Sequence, residues 1–317
     1  MLEQQEMRSV YCETLMELAE TDSRIVNIQA DLTGAHGMQP FARRFPERSF
    51  NVGVAEANMA GVAAGLAACG KLPFVHSFAT FATRRCFDQI AVSVCYSNLA
   101  VRIIGSDPGV AAELNGGTHM ALEDVGIMRT LPGITIFEPV DSVQLKAALP
   151  ALAAHDGPVY IRLFRRKAES VFIPGYAFRP GKADLLREGG DVTILATGVC
   201  TAYAVQAADD LAGLGIKARV VNVHTVKPLD VETIVKAAFE TGALVTAENH
   251  SIIGGLGSAV AEVLAEEQPT PLVRVGVKDR FGQVGKMAYL SKVFGITPAD
   301  IAAAAVKAVE RKRGKSA

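Results

Sequence analysis

Apolar residues recur at helical spacing over residues 8–20 (RSVYCETLMELAE), then give way to a short apolar run, RIVNIQADL, that ends on polar residues. The first pattern predicts an amphipathic helix and the second a buried strand running into a loop. The alternation then repeats. An Ala- and Gly-rich stretch from Gly53 to Gly70 predicts a tightly packed helix, KLPFVHSFATF a strand and loop, and CFDQIAVSVCYSN a helix. LAVRIIGSD reads as a strand, ALEDVGIMRTLPG as a helix, ITIFEPVD as a strand, SVQLKAALPALAAHD as a helix and GPVYIRLF as a closing strand. Strands alternating with helices predict a mostly parallel sheet with helices on both faces. Loops of such a sheet gather at one edge, where ligands bind.

The pattern breaks after Phe164. RRKAESVFIPGYAFRPGKADLLREGG is charged and turn-rich and predicts a linker with edge structure. A second α/β unit follows, from DVTILATG through KARVVNVHTVKPLD, ALVTAENH and PLVRVGV to an Ala-rich helix, ITPADIAAAAVKAVERK. Its basic end suits a helix C-terminus. The expected organisation is α/β throughout, with one domain at 1–167, a linker at 168–187 and a smaller domain at 188–317.

Composition narrows the function classes. The chain has 317 residues, 50% hydrophobic and 21% charged, enough to bury a core without staples. Its 32 basic and 33 acidic residues leave a net charge of -1, so no field of one sign exists to attract nucleic acid. A few local arginines would still suffice for one small anion. The five cysteines, at 12, 69, 86, 95 and 200, form no C-x-x-C pair, which disfavours a disulfide framework or a thiolate metal site. The polar N-terminus is no signal peptide and no apolar run reaches membrane-spanning length. A cytoplasmic protein with no membrane partner is expected.

FNVGVAEANMAGVAAGLA, at 50–67, puts Glu56 at the start of a helix with few large side chains. By itself, a first-turn glutamate complements the helix dipole. Small residues beyond it imply close approach of another backbone, or of an equivalent helix in a partner. The segment resembles the one around the activating glutamate of the transketolase family. ADL at 30–32, ATFATRR at 79–85, GGTHMALED at 116–124, GPVYIRLFR at 157–165, HTVKPLD at 224–230 and ENHSIIGGLGSAVAEVL at 248–264 resemble family segments in the same order. The last two are especially similar to deoxyxylulose-phosphate synthase, a relative. The resemblance covers essentially 8–315.

This resemblance implies a thiamine-diphosphate-binding pyrimidine domain followed by the family's C-terminal domain. It implies transfer of a two-carbon ketol unit from a ketose, or its phosphate, to an aldose. The family's first domain carries the diphosphate and Mg²⁺ site through a GDG motif, and this sequence contains no GDG. A split enzyme is therefore expected, with thiamine diphosphate and Mg²⁺ completed by a separate N-terminal-half subunit and no metal ligands here. Paired C-terminal halves imply a heterotetramer.

Site residues follow by resemblance. Glu56 would hydrogen-bond the pyrimidine nitrogen from an apolar setting, Phe81 would pack on the ring, and Asp31 would lie near the cofactor. Read without the family, Phe81 is a core aromatic and Asp31 an N-cap or Asx turn. His119 matches the substrate histidine. Arg8, Arg84 and Arg165 match phosphate arginines, Arg84 in the manner of deoxyxylulose-phosphate synthase; unaided, each reads as a surface charge. Arg162 and Arg166 are weaker candidates, and Phe78 and Phe87 read as ordinary cleft or core residues. Asp107 and Asn115 stand where transketolase has a substrate histidine and aspartate. Ala35 replaces a phosphate-binding serine, with His36 adjacent. These departures leave the natural sugar and its phosphate open. A 2-oxoacid dehydrogenase β subunit, a deoxyxylulose-phosphate synthase-like enzyme and a non-catalytic partner subunit are the competing readings.

Overall fold

The computed structural model describes residues 1–314, so the last three residues of the expected second domain lie outside it. Six strands open the chain: β1 (Ile25–Gln29), β2 (Ser49–Asn51), β3 (Leu72–Phe78), β4 (Arg102–Ser106), β5 (Thr135–Phe137) and β6 (Val159–Leu163). Six more follow: β7 (Asp184–Arg187), β8 (Val192–Ala196), β9 (Ala218–Asn222), β10 (Thr225–Lys227), β11 (Leu244–Ser251) and β12 (Leu272–Val277). They form a seven-stranded sheet in the order β10-β5-β6-β4-β3-β1-β2 and a five-stranded sheet in the order β12-β11-β8-β9-β7. Pairing is parallel except for β10 with β5 and β7 with β9. β1, β3, β4 and β6 are buried along their whole length. That is the signature of parallel strands covered on both faces, and it explains their continuous apolar runs.

Helices depart from the sequence reading where local geometry tightens. The small-residue helix runs Glu56–Ala68, starting at the glutamate rather than at Gly53. Its Gly61 and Gly65 face outward, where an added Cβ would meet nothing within 4 Å. CFDQIAVSVCYSN becomes a short α-turn, Phe87–Gln89, continued by a π-helix, Ile90–Cys95. The GGLGSAV turn brings Gly254 against Gly126, backbone to backbone, as a tight turn with close packing requires.

HTVKPLD does not stay in the second unit, as its position suggested. Its β10 crosses over and closes the edge of the first sheet against β5. Two contacts fix it there. Glu138 donates its N–H to the His224 carbonyl, and the Lys227 ammonium reaches the carbonyls of Arg129 and Leu131.

A buried charge cluster joins the two sheets. Arg162 on β6 has no exposure and donates to Asp124, Glu138 and the carbonyls of Ala121 and Asn249. Parallel strands covered on both faces leave an arginine no route to water, so it must be paired. Arg162 is therefore a domain clasp, and its candidacy for an anionic ligand falls.

Candidate active site

The candidate residues come mostly from loops at the carboxyl edge of the seven-stranded sheet. His36 follows β1, Glu56 opens the helix after β2, Phe81 and Arg84 lie on the helix after β3, Asp107 and His119 follow β4, and Arg165 follows β6. Arg8 joins from the first turn of helix Met7–Thr21. Its N–H donates to the Arg165 carbonyl, and its guanidinium and that of Arg165 both donate to the Ala35 carbonyl.

Phe78, read from sequence as ordinary, is the hub. Its ring lies 6.1 Å from Phe81, 5.5 Å from His119 and 6.0 Å from His36. Arg165 stands 4.9 Å over it, and Phe81 meets His119 edge-on at 5.0 Å. One aromatic cluster thus connects the expected pyrimidine contact, the expected substrate histidine and one anion candidate.

Glu56 is 3% exposed, but its surroundings are not the purely apolar ones expected from the sequence. The Ser77 hydroxyl donates to it at 3.1 Å, and Arg85 approaches both oxygens at 3.2 Å. The same guanidinium lies 3.7 Å over the Phe81 ring. A planar nitrogen donor therefore pairs with the Glu56 carboxylate and covers a Phe81 face together.

Beneath the cluster lies a buried polar layer in which the sequence reading named His36 but not Gln29, His76, Ser106 or Tyr11. His36 Nδ1 donates to Gln29 Oε1 at 3.1 Å, so its Nε2 accepts from the Ser106 hydroxyl at 2.9 Å. Burial, reinforced by His76 and by the positive charge of Arg165, pushes the His36 pKa well below 6.5 and keeps the ring neutral. His76, buried and lowered to about 4, hydrogen-bonds Tyr11 at 2.8 Å.

The anion candidates are already partnered. Arg8 pairs with Glu6 at 2.7 Å, Arg84 with Glu123 at 2.9 Å, and Arg165 with Asp107 through Nε at 2.8 Å. Arg166, another weak candidate, pairs with Glu113. Asp107 Oδ1 is buried without a hydrogen-bond partner among the described residues, and its backbone sits at φ +49°. Such an orphan acceptor in a strained backbone fits a ligand-facing position. Asp31, at φ +60°, is exposed and clasped by Asn51, while Asn115 is exposed at the end of the Gly109–Asn115 turn.

Among the described residues, no group of three or more His, Cys, Asp or Glu side chains is arranged to hold a metal ion. No described helix is long and apolar enough to cross a membrane.

Comparison with known proteins gives this geometry its context. Residues 3–170 match "Transketolase, pyrimidine binding domain" and residues 181–301 match "Transketolase, C-terminal domain". The chain belongs to the transketolase family, whose members use thiamine diphosphate. It is 58% identical to the 6-deoxy-6-sulfo-D-fructose transketolase subunit SqwH of Clostridium sp. (strain MSTE9), over 98% of this chain and 97% of that one. It is 41% identical to a putative transketolase C-terminal section of Methanocaldococcus jannaschii (strain ATCC 43067 / DSM 2661 / JAL-1 / JCM 10045 / NBRC 100440), over 93% and 94%. A solved structure described as "Split gene transketolase, inactive beta4 tetramer" superposes with a TM-score of 0.89 at 46% identity, covering 97% of this chain and 99% of that one. The chain is the C-terminal-half subunit of a split transketolase, a transferase.

Proposed function

We propose that this subunit, assembled with an N-terminal-half partner, moves a two-carbon ketol unit from a ketose whose far end carries a sulfonate. The observation that carries this reading is the charge balance around Arg8 and Arg165. Two guanidiniums converge on the Ala35 carbonyl, and Glu6 and Asp107 offset them one for one. A pair already offset in this way leaves little net positive charge, which suits a fixed monoanion better than a phosphate approaching two charges. The SqwH relative is named for a sulfonated ketose, which supports the same choice.

When bound, thiamine diphosphate supplies the carbon nucleophile and electron sink of ketol transfer. Glu56 holds the pyrimidine nitrogen, and Phe81 packs on the ring. His119, edge-on to Phe81, reaches the sugar hydroxyls, and Asp107 Oδ1 accepts from one of them. Neutral His36 orients the floor of the cleft through Ser106. We place the diphosphate and Mg²⁺ contacts on the partner subunit. Outward-facing Gly61 and Gly65 support self-pairing of this chain, hence a heterotetramer. Five free cysteines support a reducing, cytoplasmic setting.

The test is reconstitution of the purified pair with thiamine diphosphate and Mg²⁺. Product aldoses are followed by mass spectrometry with 6-deoxy-6-sulfofructose, fructose 6-phosphate and xylulose 5-phosphate as donors, each paired with one common aldose phosphate that accepts the two-carbon unit. The sulfonated ketose is expected to give the highest kcat/KM. Preference for either phosphate would overturn the sulfonate assignment. No ketol transfer by a folded complex on any pair would overturn the whole reading.

A further inference from the structure

Arg85 has no role in the expectations above, yet it makes two contacts that matter. Its Nη1 lies 3.2 Å from each oxygen of the Glu56 carboxylate, and its guanidinium carbon lies 3.7 Å from the centre of the Phe81 ring. Phe81 and Arg85 are four residues apart at the end of helix Ala79–Arg84, which puts both side chains on one face. Among the described residues, the hydrogen bonds of Arg85 go to Glu56. Its side chain is 47% exposed, against 3% for Glu56, so it covers the carboxylate from the open side of the cleft.

We propose that Arg85 is a placeholder for the cofactor's aminopyrimidine ring and yields its position when the cofactor enters. This rests on the reading of Glu56 and Phe81 as pyrimidine contacts. A guanidinium is planar, carries in-plane N–H donors and stacks on aromatic faces. It thus presents to Glu56 and Phe81 an N–H donor and a flat face, the two features that the pyrimidine presents once its ring nitrogen carries a proton. At 3.7 Å it leaves no space for a second planar group on that ring face. A buried carboxylate left with one serine hydroxyl would be poorly compensated, so the guanidinium keeps Glu56 paired until another donor takes over. The exchange is facile because the departing group is half exposed and its long side chain can hydrate elsewhere.

Cofactor binding is then a displacement, and it is weaker than the pocket alone would give. Calorimetric titration of thiamine diphosphate, with Mg²⁺, into the assembled wild-type, R85M and R85Q complexes reads this directly. Both substitutions are expected to lower Kd by about threefold to tenfold, the range set by one exposed ion pair and one cation–π contact. Ethylguanidinium at millimolar concentration, added to an R85A complex, is expected to compete with thiamine diphosphate. It should leave the wild type unaffected, an effect that a purely structural role would not produce. Unchanged or weaker cofactor binding by both R85M and R85Q overturns the placeholder, as does an R85A complex indifferent to ethylguanidinium. A wild-type complex that binds no thiamine diphosphate overturns the pyrimidine reading itself, and the placeholder with it.

Discussion

Replacing Arg162 with methionine would show how much the domain clasp is worth. Arg162 donates through Nε to Asp124 at 2.8 Å, through Nη1 to Glu138 at 2.8 Å and through Nη2 to the Asn249 carbonyl at 2.8 Å. Tyr160 completes the shell with a 2.6 Å bond to Asp124. Methionine fills much of the volume but leaves two buried carboxylates facing each other. Breaking a buried pair from one side costs about 3–5 kcal/mol, a large share of a typical folding free energy of about 5–15 kcal/mol. Burial already raises the pKa of Glu138, and Arg162 only partly offsets it. For Asp124 burial also pushes upward, but Arg162, with His250 and Tyr160, outweighs it and the net direction is down. In the variant both carboxylates titrate above their unfolded values. Their protonated forms are then favoured at low pH, and stability falls as pH rises through the folded pKa. Urea unfolding of wild type and Arg162→Met at pH 5.5 and pH 8 is the assay. The loss should be greatest at pH 8. A loss below about 1 kcal/mol at both values, the scale of a surface pair, would refute the clasp.

Three further perturbations follow. Asn249→Ala removes the acceptor for Val110 N–H and the donor to Pro108 C=O, both 2.9 Å bonds that hold the loop after Asp107. It should cost about 1–3 kcal/mol in urea unfolding and lower kcat/KM about tenfold by loosening Asp107; unchanged kinetics would separate that loop from the site. Gly109, at φ +54° against Asn249, is the residue that lets the two meet. Gly65→Leu meets nothing within 4 Å in the subunit, so helical content and melting should hold while light scattering reports weaker self-association; intact assembly would place the contact elsewhere. Finally, burial lowers the pKa of His76, His224 and His250 to about 4, and of His36 well below 6.5. Stability from their neutral forms is complete above pH 6.5 and is lost as pH falls toward 4. Glu248, raised by burial to about 7, works in the opposite sense between its unfolded value and 7. Urea midpoints should fall on balance from pH 7 to pH 5, and a flat profile would contradict four buried neutral histidines.

Much of this site was legible because its chemistry follows strand ends in sequence order. The switch from helical spacing to apolar runs located β1, β3, β4 and β6, and the segments after them carry His36, Phe81, Asp107 and Arg165. Glu56 was legible because a small-residue helix begins on it. The rest depended on distant partners. No local pattern joins Asp107 to Arg165, 58 residues away, so the neutralised anion site was invisible. Phe78 ends a buried strand, and nothing in that position distinguishes a cleft hub from core. Arg85 did leave a signal, its i,i+4 spacing to Phe81, but the neighbouring Arg84 offered the family match. β10 was misplaced because two residues after β9 suffice to carry the chain into another sheet, and its partners lie near residues 130 and 137.

The central claim is that Glu56 of this subunit activates a cofactor held jointly with its partner. Glu56→Gln in the reconstituted complex tests it most directly, with ketol transfer, assembly and thiamine diphosphate binding measured on one preparation. The glutamine keeps the size and the hydrogen bond to Ser77 but removes the carboxylate. Assembly should be intact and turnover should fall about a hundredfold or more, the scale of a lost proton-transfer partner. Wild-type turnover from a fully assembled Glu56→Gln complex would contradict the account.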